Sequence, residues 1–145
     1  MLACDLIVSA RNAVFGIPEV KRGLAAAAGG LIRLPRFIPQ KIAMEMALTG
    51  DHIDAETLFR HGLINRLVSP GEALNEAKNL ANKIKQNAPL SIAASKKVIV
   101  EQIDWSRDEM FKKQEEITSP VLKSKDAIEG SKAFSEKRKP NWKSI

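Results

Sequence analysis

One acid stands where it could do chemistry. Glu19 lies in Phe15-Gly16-Ile17-Pro18-Glu19-Val20-Lys21-Arg22-Gly23, and a small-residue run, Ala25-Ala26-Ala27-Ala28-Gly29-Gly30, follows it. Next comes Leu31-Ile32-Arg33-Leu34-Pro35-Arg36. The order is a short apolar strand, an acid at its end, and a small-residue turn opening a helix. Small side chains let the backbone come close to a bound ligand, so one carboxylate can be held against it. A carboxyl group serves as general acid or base when its pKa moves toward neutrality. Apolar neighbours disfavour a charged carboxyl, and Phe15, Ile17 and Val20 are the residues that can supply them. The same residues allow a second reading, an ordinary loop glutamate in water or paired with Lys21 or Arg22.

The other reactive side chains offer less. His52 and His61 show neither metal-site spacing nor a triad pattern, and read as turn or surface residues. Cys4, the single cysteine, cannot form an internal disulfide; it reads as a small buried thiol in a reducing compartment. No metal cluster and no phosphate loop of the Walker or dinucleotide type is visible, so no metal is expected.

The chain has 145 residues, 44% hydrophobic and 28% charged, which suits one globular domain or a piece of one. The net charge of +6 favours phosphate-bearing partners. The positive charge gathers near the end, at Lys132, Lys137, Arg138, Lys139 and Lys143, diluted by Glu129 and Glu136. Nucleic-acid modules interleave aromatic residues with such charges. Here there is no Tyr, and only Phe134 and Trp142 lie near the cluster. A solvated helix face is the reading, with no nucleic-acid partner. No apolar run reaches the roughly 18 residues of a membrane span, and the start lacks a secretory pattern.

Periodicity gives the elements that must position these residues. Leu6 to Ala10 is a β-branched run that predicts a strand, Arg11-Asn12 a turn, and Ala13 to Gly16 a second strand. Gly23 to Gly30 reads as a loop, punctuated further on by Pro35 and Pro39. Ile42, Ala43, Met46 and Ala47 share a face of a helix over 40–48, with Gly50 as its C-cap. Asp54 can cap a short helix through Phe59, and Leu63 to Val68 predicts a last strand. From Glu72 the pattern is helical, with Pro89 in the first turn of a helix and a break at Asp104-Trp105-Ser106. A charged helix over 107–117, a break near Ser119-Pro120 and Ser124, and a final helix over 126–138 complete the chain. Two or three short strands with open edges beside many helices need partners.

Taken in order, these phrases resemble the later part of the crotonase (enoyl-CoA hydratase/isomerase) superfamily. Ala3-Cys4-Asp5-Leu6-Ile7, Phe15-Gly16-Ile17-Pro18-Glu19 and Gly29-Gly30 with Arg33-Leu34-Pro35-Arg36 carry the resemblance. So do Ala43-Met44-Glu45-Met46-Ala47-Leu48-Thr49-Gly50, Ala55-Glu56 and Gly62 to Val68. Pro89-Leu90, Ser95-Lys96-Lys97 and Ala133 to Pro140 continue it to the end. The resemblance implies an α/β fold: the last part of a crotonase-like ββα spiral over residues 1–70, followed by a helical trimerisation region over 71–145.

It also implies roles. Glu19 falls on the second catalytic glutamate of hydratases that add water to 2-enoyl-CoA thioesters. The first glutamate, and the two backbone N–H groups that stabilise the thioester enolate, would fall ahead of Met1. One such donor is worth about 10²–10³ in rate, so the chain alone is expected to be an incompetent hydratase. Ala26-Ala27 stands where hydratases carry Pro-Gly, and the N–H of Ala27 would help hold the reacting water; helix-start packing is the other reading. Phe134 and Lys137 fall where the family meets the CoA adenine and phosphate, at i and i+3 on one helix face. The alternative places Phe134 in a trimer core. The expected partners are an acyl-CoA substrate and further copies, trimer or hexamer. No cofactor beyond the substrate's own coenzyme A is expected, and the implied setting is the cytoplasm or an organelle matrix. Isomerase and dehydratase chemistry stay open, as does a non-catalytic remnant that associates with intact subunits.

Overall fold

A computed structural model describes residues 1–144, in two compact units, Met1–Leu80 and the chain from Ala81 onward. The first unit runs β1 (Val8–Ala10), β2 (Val14–Phe15), a 3-10 turn (Pro18–Arg22), α1 (Gly30–Phe37), α2 (Gln40–Thr49), β3 (Ile53–Asp54), α3 (Ala55–Arg60) and β4 (Arg66–Val68). β1 pairs in parallel with β4, Ser9 opposite Leu67. β2 pairs antiparallel with β3, Phe15 opposite Ile53.

The strands are shorter than the runs predicting them. At β1 the reason is Asn65. Its side-chain Oδ1 accepts the Ile7 N–H at 2.8 Å, and its backbone N–H donates to the Ile7 carbonyl at 2.8 Å. A side chain thus replaces the ladder before Val8. β3 had no signal of its own: Ile53-Asp54 is too short for alternation and becomes strand by pairing with β2.

The core of this unit is Leu34, Ile38, Ala43, Met46, Ala55, Leu58, Leu63 and Ile64. Ala43 and Met46 carry the predicted α2 face into it. Asp54 caps α3 as expected, its Oδ1 accepting the Thr57 N–H at 2.7 Å. Pro35 lies inside α1, while Pro39 caps α2. Cys4 is exposed, contrary to the buried thiol read from composition. An exposed turn precedes β1 there, and the Cys4 N–H donates to Met1 O at 2.9 Å.

In the second unit, α4 (Ala73–Lys85) ends and α5 (Pro89–Glu101), a 3-10 turn (Gln102–Asp104), α6 (Met110–Leu122) and α7 (Lys125–Ser135) follow. Pro89 opens α5 as predicted. α6 starts later than expected and runs through Ser119-Pro120 to Leu122. Proline removes one donor, and so close to the helix end the rest of the ladder tolerates the loss. The break falls at Lys123-Ser124, where Ser124 Oγ accepts the Ala127 N–H at 3.1 Å and starts α7.

The tail folds back on α7. Asp126, 2% exposed, accepts the backbone N–H groups of Lys143 at 2.6 Å and Ser144 at 3.0 Å. Arg138 grips Glu129 with two nitrogens at 2.6 and 3.0 Å, and Glu129 also accepts the Asn141 N–H at 2.8 Å. Trp142 donates its indole N–H to the Gln86 carbonyl at 2.8 Å and lies over Gly130. Among the described residues, no helix is long and apolar enough to cross a membrane.

Candidate functional site

Glu19 sits on the 3-10 turn that follows β2. Pro18, with its fixed φ, opens the turn, and Gly23 closes it in the left-handed region at φ +72°. The Gly23 N–H donates to Val20 O at 3.2 Å and the Leu24 N–H to Glu19 O at 3.1 Å. Phe15 and Ile17 pack against the core on one side, so the acid is carried at its rim. Val20, the third apolar neighbour named from the sequence, is 41% exposed.

The carboxylate itself is the notable feature. Glu19 is half-buried, and its Oε2 is fully buried without a hydrogen-bond partner. The ion-pair reading of this residue does not hold. Lys21 pairs with Asp51 at 2.5 Å, and Arg22 reaches the Lys21 carbonyl at 3.4 Å. A buried, unpaired carboxyl oxygen is costly unless a ligand meets it.

The small-residue loop lies between this turn and α1. Ala26 is buried, while Ala27 is exposed and its N–H donates to the Ala25 carbonyl at 2.7 Å. Gly29 takes φ +93° at the start of α1. Gly30 lies against Ile17, where a Cβ would meet Cγ2 at 3.5 Å, so α1 begins beside the acid-bearing segment.

The turn after α2 is a part that sequence reasoning missed. Gly50, Asp51 and His52 touch the Glu19 segment from about 30 residues away, as the Lys21–Asp51 bond shows. Local periodicity carries no signal for such a contact.

In the second unit, Phe134 is 86% exposed near the end of α7. Lys137 is not on the helix face the sequence suggested, because α7 ends at Ser135. The Lys137 N–H donates to Phe134 O at 3.2 Å and the Arg138 N–H to Ala133 O at 3.0 Å, a Schellman ending. Lys137 takes the left-handed place at φ +52°, usually glycine's. Arg138 next door holds the Glu129 carboxyl at a pKa of about 2, chiefly by its hydrogen bonds, helped by the Asn141 N–H. Glu129 and Glu136 in turn raise the Arg138 pKa.

Neither of the described surface hollows contains Glu19, Phe134 or Lys137. One of about 400 Å³ lies beside Lys125, Glu129 and Lys143, and one of about 390 Å³ beside Arg11, Glu72 and Asn75. Chemistry, rather than depth of hollow, marks the candidate site. No group of three or more His, Cys, Asp and Glu among the described residues could hold a metal ion.

The family model for enoyl-CoA hydratase/isomerase matches residues 1–145, and the chain belongs to that family. A crystal structure of enoyl-CoA hydratase from Mycobacterium tuberculosis H37Rv is 54% identical with a TM-score of 0.97, over 99% of this chain and 57% of that one. An enoyl-CoA hydratase from Bacillus anthracis superposes with a TM-score of 0.94 at 32% identity, over 99% and 56%. A carnitinyl-CoA dehydratase of Salmonella arizonae is 41% identical over 98% of this chain and 56% of its own length. The fold is the α/β crotonase fold of the matched portion, and the chain spans about half the length of the curated relatives it matches.

Proposed function

We propose that this chain carries one of the reacting carboxyl groups, Glu19, of an enzyme that adds water to, or removes it from, the 2,3-bond of an acyl-CoA thioester. The observation that carries this reading is the buried Glu19 Oε2 without a partner, on the 3-10 turn that follows β2. In the hydration direction, water oxygen bonds to the β-carbon and loses a proton, while the α-carbon gains one. A carboxylate accepts the first proton, and a carboxylic acid supplies the second. The family and the names of the relatives support a CoA thioester as the molecule concerned.

The CoA portion meets Phe134 and Lys137 in this reading. An exposed ring can stack on an adenine, and an ammonium can meet a phosphate. Lys137 supports this by occupying a backbone conformation that costs it stability. Ala27 is a weaker participant, since its N–H already has the Ala25 carbonyl. Further copies of the chain are the proposed partners.

Residues 1–145 by themselves are proposed to lack a full set of enolate-stabilising donors, so their own turnover is slight. The test compares crotonyl-CoA hydration by the protein purified from its own cells with that by the 145-residue chain. Glu19→Gln in the cell-derived protein should lower kcat by about 10²–10⁴, the range of general acid–base catalysis. Undiminished hydration by that variant would sink the role of Glu19.

A second reading, association without catalysis, is favoured by one observation. α4, α5 and α6 contain no fully buried residue, and Phe111 and Leu122 are 74% and 77% exposed. Ordinary turnover by the 145-residue chain would exclude it.

A further inference from the structure

We infer that the turn Gly50-Asp51-His52 is a positioning clamp for the Glu19 carboxylate, an inference resting on the reading of Glu19 as the reacting group. The turn touches the acid-bearing segment on both sides of Glu19. On the near side, the His52 ring lies against Gly16, where a Cβ would stand 3.0 Å from Cδ2. On the far side, a Cβ on Gly50 would stand 3.0 Å from both Val20 Cγ2 and Lys21 Cγ. Asp51 Oδ1 accepts from Lys21 Nζ at 2.5 Å. The next residue, Ile53, pairs with Phe15 across the β2–β3 ladder.

Each part has a reason to be what it is. Gly50 is buried, ends α2 at φ +66°, and gives its N–H to Met46 O at 3.1 Å. A side chain there would be strained and would push against Val20 and Lys21. Asp51 has its pKa lowered, first by the Lys21 hydrogen bond, so it remains a charged partner near neutral pH. His52 is exposed, so its contact with Gly16 is no requirement of the core. The 3-10 turn holds no fully buried residue of its own. Its place relative to the core therefore depends on what grips it from outside, and this turn does so at residues 16, 20 and 21. A carboxylate must sit within about 1 Å of its productive place, because a misplacement of that size can cost about 10²-fold in rate. None of the three residues needs to touch substrate.

The test reads the carboxylate directly. The whole chain is treated with a water-soluble carbodiimide and an amine, and labelling at Glu19 is followed by peptide mass mapping against the exposed Glu116. His52→Ala and the double change Asp51→Asn with His52→Ala should raise Glu19 labelling by about threefold or more, a scale set by loss of one surface ion pair and one contact. Glu116 labelling and helical circular dichroism should stay constant, and Asp51→Glu should keep the slow Glu19 rate. An unchanged Glu19 rate in the double variant would overturn the inference. So would a parallel rise at Glu19 and Glu116, which signals general loosening. In the cell-derived protein the double variant should lower kcat for crotonyl-CoA while KM holds. Labelling needs no turnover. A clamp seen by labelling, beside a cell-derived protein that neither adds water to nor removes it from an acyl-CoA, would sink the proposed function and leave the clamp standing.

Discussion

At Lys137 the proposed CoA contact and the stability of the helix end would pull in opposite directions. It holds a left-handed backbone at φ +52° in a helix ending where glycine fits without cost. For an L-residue that conformation costs roughly 1–2 kcal/mol. Lys137→Gly should therefore raise the Tm by a few degrees, measured by calorimetry. If the ammonium meets a CoA phosphate, the same change should weaken acyl-CoA binding in titration calorimetry. A gain in both would remove Lys137 from the site. Glu19 stands out in the sequence as a candidate because a lone acid ends an apolar segment before a small-residue turn. The state of its Oε2 was not, since burial and pairing of one atom depend on side chains far away in sequence.

At the scale of elements, the helices were largely readable, and three of the four strands were readable in place but not in length. Helical spacing is local, so α2, α4 and α5 could be placed from their apolar positions and from Gly50 and Pro89. Strands of two or three residues exist only through their partners, which is why β3 escaped notice and the other three looked too long. Proline misled at both Pro35 and Pro120, because each helix absorbs the missing donor near its end. The start of α7 gives a sharp prediction. Ser124 accepts the Ala127 N–H and donates to Val121 O at 2.7 Å. Ser124→Ala should cost about 1 kcal/mol in urea unfolding.

The end of α7 gives a pH dependence. The Glu129 pKa falls from the ordinary 4.5 to about 2 on folding, chiefly through Arg138. A depressed carboxyl contributes stability that is fully present above the unfolded value and is lost as pH falls through the folded one. The window is thus from about 4.5 down to about 2. Acid titration followed by circular dichroism should show a loss of stability there, and Glu129→Gln should flatten that limb.

For the whole molecule, the two units are built on different terms. The first encloses a continuous apolar core from Leu34 to Ile64. The second has Ala133 as its buried apolar residue, while Ile99, Phe111, Leu122 and Phe134 face outward. These are the apolar side chains that the proposed association would cover. The chain should elute from gel filtration well above its 16.0 kDa, and Phe111→Lys with Leu122→Lys should shift it downward. Elution of the unaltered chain as a monodisperse monomer would count against association. This imbalance was visible in the sequence as a short stretch of strands followed by a succession of helices. Which helix faces lack cover was not, because periodicity locates an apolar stripe without saying what lies against it.

The docked tail also provides a built-in lamp. Trp142 and Trp105 are the chain's two tryptophans, and the Trp142 indole N–H donates to the Gln86 carbonyl while its ring lies over Gly130. With Trp105→Phe, the remaining emission comes from Trp142 alone. Its colour and quenching by iodide would then follow undocking of the tail in real time, with no dye attached.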